Sequence, residues 1–204
     1  MARAATSLVN KFIGHLNYLE KTRSKMEYLF SRNHIVRRDI EQVYAGLYME
    51  AITSLETFIE NLFLGFLVGQ LIHKSNEVVH RVSFKSYLIA RKVVYGGNQY
   101  VDWFPYYRTE KRAAAFFRNG YPFTYLDNMD KQQIEKILYI RNAIAHKSNY
   151  SLNKFEKEII GSSILMPRER TPSGYLRSVF RTAPNQTRYE ELIIEMSIIS
   201  RKLC

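Results

Sequence analysis

Thiols are almost absent from this chain of 204 residues: its one cysteine is the last residue, Cys204. A single thiol excludes an intrachain disulfide and a cysteine-based zinc site, and it fits a reducing, cytoplasmic setting. Proline is nearly as scarce. The five prolines stand at 105, 122, 167, 172 and 184, so the first 104 residues carry none and read as a helical half. No apolar run approaches the ~20 residues of a membrane-spanning helix. The most apolar stretch, 61–73, reads N-L-F-L-G-F-L-V-G-Q-L-I-H behind Glu56 and Glu60, which suits the buried end of a core helix. Asn10, Lys11 and His15 interrupt the start, so a secretory leader is not expected. G-x-S-x-G, H-E-x-x-H and the phosphate-loop signature G-x-x-x-x-G-K-[ST] are all missing. The histidines at 15, 34, 73, 80 and 146 lack tight metal-ligand spacing, and no metal or other cofactor is expected. Acidic residues are also few. Lysine and arginine number 30 against 19 aspartates and glutamates, a formal charge of +11 that favours a polyanionic partner.

What is present is enough for a core, since 46% of the residues are hydrophobic. One domain spanning 1–204 is the expectation at this length. Leu8, Phe12, Leu16 and Leu19, followed by Met26 and Leu29, recur at helical spacing and predict a first amphipathic helix. A basic turn follows at 32–38. Ile40, Val43, Tyr44, Leu47, Ala51, Leu55, Ile59 and Leu62 line a second helix that becomes apolar nearly all round, as a central helix does. A shorter helix is predicted from Ser83 to Val94, stopped by Gly96-Gly97. Asp127 or Asn128 caps a further helix running to about His146. After a turn-rich stretch at 161–186, Thr187-Arg188-Tyr189-Glu190 reads as a capping box that opens a terminal helix. The predicted architecture is all-α, a bundle of four to five helices with an irregular aromatic-rich insertion at about 98–125. That insertion interleaves ten aromatic side chains with Arg108, Lys111, Arg112 and Arg118. Two readings fit it: base stacking with phosphate contact, or a plug that covers the helices.

The segment Arg141-Asn142-Ala143-Ile144-Ala145-His146 gathers an arginine, an amide and a histidine near a helix end. At ~100° per residue Asn142 and His146 lie within ~40° of each other, whereas Arg141 and His146 are ~140° apart. The latter two meet only if the helix end loosens or a second subunit completes the site. Histidine can take or give a proton near neutral pH, and arginine grips phosphate through two parallel hydrogen bonds. Together they suit attack of a ribose 2′-hydroxyl on its phosphate. The plainer alternative is a solvated helix end whose positive charge offsets the dipole.

The run R-N-A-I-A-H resembles the R-x4–6-H motif of HEPN domains, including the polar residue directly after the arginine. The acidic helix at Tyr48–Glu60, Gly174-Tyr175-Leu176-Arg177 and Thr187-Arg188-Tyr189-Glu190 are similar to that group's central and C-terminal patterns. The resemblance covers most of 38–204, and the six-residue motif is its specific part. It implies a homodimer with two motif helices facing across a basic cleft. It also implies a metal-independent endoribonuclease, of the kind found in toxin–antitoxin and antiphage systems, with a cognate antitoxin or inhibitor protein. Carried over, Arg141 and His146 are catalytic, Asn142 supports them, and Glu56 matches an acidic position that is equally well a surface glutamate. RNA is the implied partner, with Arg108, Lys111, Arg112, Arg118, Lys147 and Arg177 as candidate contacts. A non-catalytic HEPN module that dimerises and binds nucleic acid or nucleotide is the other reading. The aromatic insertion is a departure from the minimal domain.

Overall fold

A computed structural model describes residues 2–75, 77–183 and 185–204. Among these the chain forms eight α-helices and two two-residue strands. The order is β1 (Arg3–Ala4), α1 (Ala5–Ser31), α2 (Arg37–Leu67), β2 (Leu71–Ile72), α3 (Tyr87–Tyr95), α4 (Tyr107–Phe116), α5 (Asn128–His146), α6 (Asn149–Phe155), α7 (Pro172–Arg177) and α8 (Arg188–Lys202). The all-α expectation holds, but the helix count exceeds four to five, because α4 forms inside the insertion and α6 and α7 arise where the sequence gives no apolar periodicity. None of the described helices is long and apolar enough to cross a membrane.

Local chemistry sets the helix ends. Asn33 takes a positive φ of 58°, and the His34 N–H returns to the Leu29 carbonyl at 3.0 Å, which closes α1 in a left-handed cap. The Asp39 carboxylate then accepts the Val36 N–H at 3.0 Å and opens α2. Ser86 caps α3 at one end and Gly96, with φ of 59°, at the other. Asp127 and Asp130 cap α5 reciprocally, each accepting the other's backbone N–H. The capping box at Thr187 is present: Glu190 accepts the Thr187 N–H at 2.6 Å, and the Thr187 hydroxyl oxygen accepts the Glu190 N–H.

The chain gathers into two compact units. The first comprises 1–13, 54–132 and 198–204. Its core centres on Phe63 of α2, whose ring lies 5.0–5.2 Å from those of Trp103, Phe117 and Phe123. Glu60, one turn earlier, accepts hydrogen bonds from the Tyr95 hydroxyl (2.6 Å) and the Trp103 indole N–H (3.2 Å). Much of the 98–125 insertion is therefore a plug. Trp103, Phe104, Tyr106, Phe117 and Phe123 are buried, while Tyr100, Tyr107 and Tyr125 stay exposed. β1 pairs in parallel with β2, Arg3 opposite Leu71, and ties the start of the chain to the end of α2.

The second unit comprises 14–53 and 133–197. Leu16, Leu19, Tyr44, Tyr48, Ile137, Ile140, Phe155, Leu176 and Met196 fill its core. Arg23, only 8% exposed, lies among them and must be paired to sit there. It bonds Glu20 of its own helix, the Tyr44 hydroxyl of α2 (3.1 Å) and Glu190 of α8 (2.7 Å). Tyr44 in turn donates to Glu27 at 2.9 Å, and Glu27 takes both arms of the Arg177 guanidinium at 2.8 and 3.0 Å. Burial alone would lift the Glu27 carboxyl. Hydrogen bonds from Arg177 and Tyr44, with the charges of Arg177 and Arg23, hold it below its usual 4.5.

Removal of the Arg23 guanidinium leaves two carboxylates and a buried hydroxyl without their donor. Arg23→Met is expected to lose on the order of 3 kcal/mol of stability by urea denaturation. A carboxylate with a depressed folded pKa stabilises above its unfolded value and ceases to do so as pH falls through the folded one. Glu27→Gln is therefore expected to unfold at lower urea than the parent at neutral pH. The two midpoints converge as the pH drops below 4.5.

Candidate functional site

The motif residues lie on the last two turns of α5, within the second unit. Ile134, Ile137, Ile140 and Ala143 form the buried stripe of this helix, and the Tyr48 hydroxyl donates to the Ile137 carbonyl at 3.1 Å. That carbonyl belongs to the turn directly before Arg141, so the core of the unit holds the base of the motif in place. Arg141 and Asn142 are half-buried beside the stripe, and Ala145 and His146 are exposed at the tip.

Arg141 and His146 meet within one chain. The Arg141 Nη1 lies 3.4 Å from His146 Nε2 and also donates to the Asn142 Oδ1 at 3.1 Å. At ~140° apart the two side chains do not meet on a regular helix. Two features close the gap: arginine is long enough to cross one helical turn, and His146 is the final helical residue. Lys147 follows with φ of 48°, in the left-handed region, and Ser148 then caps α6 by accepting the Ser151 N–H at 3.2 Å. The expected pairing of Asn142 with His146 gives way to Asn142 holding Arg141. A guanidinium can only donate, so its contact with Nε2 requires a lone pair there and the ring proton on Nδ1. The resulting arrangement is an exposed imidazole whose Nε2 lone pair faces a fixed guanidinium. Chemically it offers a proton acceptor and a cation within one hydrogen bond of each other.

The remaining candidates divide between the two units. Glu56, on α2, belongs to the first unit and is half-buried. Arg108, Lys111, Arg112 and Arg118 belong there too. Arg108 pairs with Asp102 at 2.5 Å, and Arg112 lies 4.8 Å above the Trp103 ring while donating to the Asp102 carbonyl. Lys111 and Arg118 are exposed. In the second unit Lys147 is exposed at the corner directly after His146. Arg177 is committed elsewhere: Glu27 occupies its fork, and its guanidinium lies 4.4 Å over the Phe30 ring. Its charge is used inside the fold, as a corner of the Arg23 network, rather than offered to a ligand.

Two histidines outside the motif, His73 and His80, have structural partners. The His80 Nε2–H donates to the Phe66 carbonyl at 2.7 Å. The buried His73 ring accepts from the Ser75 N–H, and burial pushes its pKa down. Sequence reasoning missed Glu60, Arg23 and Glu27, the polar groups on which the fold depends. Only their position on helix faces that are otherwise apolar could have marked them.

A lysine with a left-handed backbone carries a strain that glycine lacks. Lys147→Gly is expected to raise the melting temperature, by an amount equivalent to about 0.5–1 kcal/mol, while it removes the charge beside His146. Thermal unfolding followed by circular dichroism checks this. No family model, curated protein or solved structure matches the chain.

Proposed function

We propose that the chain is a metal-independent endoribonuclease of the HEPN type that acts as a homodimer. The observation that carries this reading is the 3.4 Å contact between Arg141 Nη1 and His146 Nε2 at an exposed helix end. Cleavage through the ribose 2′-hydroxyl needs a proton acceptor, a cation and a proton donor, and this pair can supply the first two. Once the phosphate draws the guanidinium off the Nε2 lone pair of His146, that nitrogen takes the 2′-hydroxyl proton as the 2′-oxygen attacks the adjacent phosphorus. The Arg141 guanidinium binds the non-bridging oxygens as negative charge builds on them. The bond from phosphorus to the 5′-oxygen then breaks, leaving a 2′,3′-cyclic phosphate, and the departing oxygen takes up a proton.

Each chain brings one such histidine. A homodimer supplies two, one as base and one already protonated as acid, and that is the reason the reading includes a second copy. Asn142 is a positioning residue, since it touches Arg141 and not the imidazole. Lys147 adds a cation beside the site, and the formal charge of +11 draws a polyanion toward the protein. An RNase with this charge in a cell needs restraint, and a cognate inhibitor in a toxin–antitoxin or antiphage setting fits that need.

The test is cleavage of end-labelled single-stranded RNA by purified protein in excess EDTA, with a matched strand carrying 2′-deoxyribose throughout. The expectation is cyclic-phosphate ends on RNA, no product from the deoxy strand, and a rate at least about a hundredfold lower for His146→Ala and for Arg141→Ala. Circular dichroism and light scattering on the variants report whether fold and oligomeric state persist. Cleavage by the double variant at the parental rate would sink the proposal. Salt-sensitive binding without product would favour the non-catalytic module instead.

A further inference from the structure

Open clefts lined by arginine or lysine differ in whether those cations are available. In the cleft formed by 98–112, Asp102 pairs with Arg108, and its carbonyl accepts from Arg112. In the cleft around Arg37, Arg168 and Arg177, Glu41 and Glu27 hold two of the guanidiniums and Glu169 stands in the wall. The third cleft, wholly within the first unit, measures about 690 Å³ and has no carboxylate in its lining. Arg3 and Lys11 both line it, and neither is in an ion pair among the described residues.

We propose that this third cleft is a binding site for a small molecule that carries a phosphate on an apolar or aromatic body. Two uncompensated cations match the double charge of a phosphomonoester, with Arg3 able to grip two of its oxygens at once. Ser7, Asn61, Gln70 and Tyr87 add neutral polar groups around them. Burial and the nearby Glu60 push the Tyr87 hydroxyl above its usual range, so it remains a neutral donor at physiological pH. Leu8 and Leu71 give the cleft an apolar wall. Its volume falls within the range of ordinary small-molecule sites.

The pairing that ties β1 to the end of α2 also holds the cleft in shape. The Arg3 N–H donates to the Gln70 carbonyl at 2.8 Å, and the β1–β2 register sets Arg3 opposite Leu71. Gly65 is buried on α2 facing Leu71. A Cβ built there would come within 2.5 Å of the Leu71 Cδ1, so the missing side chain is what lets Leu71 lie against the helix and floor the cleft. Both cations are thereby mounted on elements fixed to the unit rather than on a loose terminus.

Calorimetric titration of the full chain with phenyl phosphate, inorganic phosphate and phenol tests the proposal. Phenyl phosphate is expected to bind saturably, one per chain, and about tenfold or more tighter than inorganic phosphate, with phenol undetectable. Arg3→Glu and Lys11→Glu are each expected to weaken it about tenfold or more. Leu8→Gln should reduce the advantage of phenyl phosphate over inorganic phosphate. Lys25→Glu, on α1 in the second unit and equal in charge change, should leave binding intact. Absence of saturable binding, equal affinity for the two phosphates, or an equal loss with Lys25→Glu would each overturn the site. The readout involves no RNA cleavage, so it stands or fails separately from the ribonuclease reading.

Discussion

A guanidinium with almost no access to water must find partners where it sits, and Arg23 is held by three helices at once. Glu20 secures it from its own helix, Tyr44 from α2, and Glu190 from α8. None of these helices can slide by a turn without stranding a charge. Glu190 also closes the capping box of α8, so the residue that satisfies Arg23 decides where α8 begins. Tyr44 passes the constraint to Glu27, and Glu27 passes it to Arg177 of α7. Hydrophobic burial drives the second unit together, yet burial alone tolerates several registers. The polar chain through Arg23 selects one.

The first unit solves a similar problem with a carboxylate. Glu60 sits one turn before Phe63, and the Trp103 indole of the inserted segment and the Tyr95 phenol of α3 satisfy it. The insertion therefore contributes a donor as well as the rings. Trp103 closes over Phe63 and caps Glu60 with the same side chain, while Arg112 covers its outer face. Stacking capacity for a nucleic-acid base is left to the tyrosines at 100, 107 and 125, which the plug does not consume.

Much of the fold was readable in the sequence because its signals are local. The spacing of Leu8, Phe12, Leu16 and Leu19, the glycine pair at 96–97 and the Thr187–Glu190 box each report a helix or its end through neighbours within one turn. The short α6 and α7 were not readable, because a single capping serine or an initiating proline starts them and tertiary packing of Phe155 and Leu176 stabilises them. The motif at 141–146 was found as a cluster, but its internal geometry was not. Ideal helix angles place Cβ atoms; they say little about a side chain as long as arginine at a helix terminus, where nothing follows to block its path. Arg177 illustrates the opposite error. A basic residue in a turn-rich stretch looks free for a ligand until its partner, 150 residues away in sequence, comes into view.

The contact between Arg141 and His146 is attractive in only one state of charge. While Nε2 keeps its lone pair, the guanidinium is a donor and the imidazole its acceptor. Once Nε2 takes up a proton, two cations face each other with no acceptor between them, and the resting contact becomes repulsive. The imidazole at the exposed tip is the freer of the two, since Asn142 still holds the arginine. The contact thus ties the placement of the ring to its state of charge: the imidazole rests against this guanidinium only while Nε2 is the acceptor.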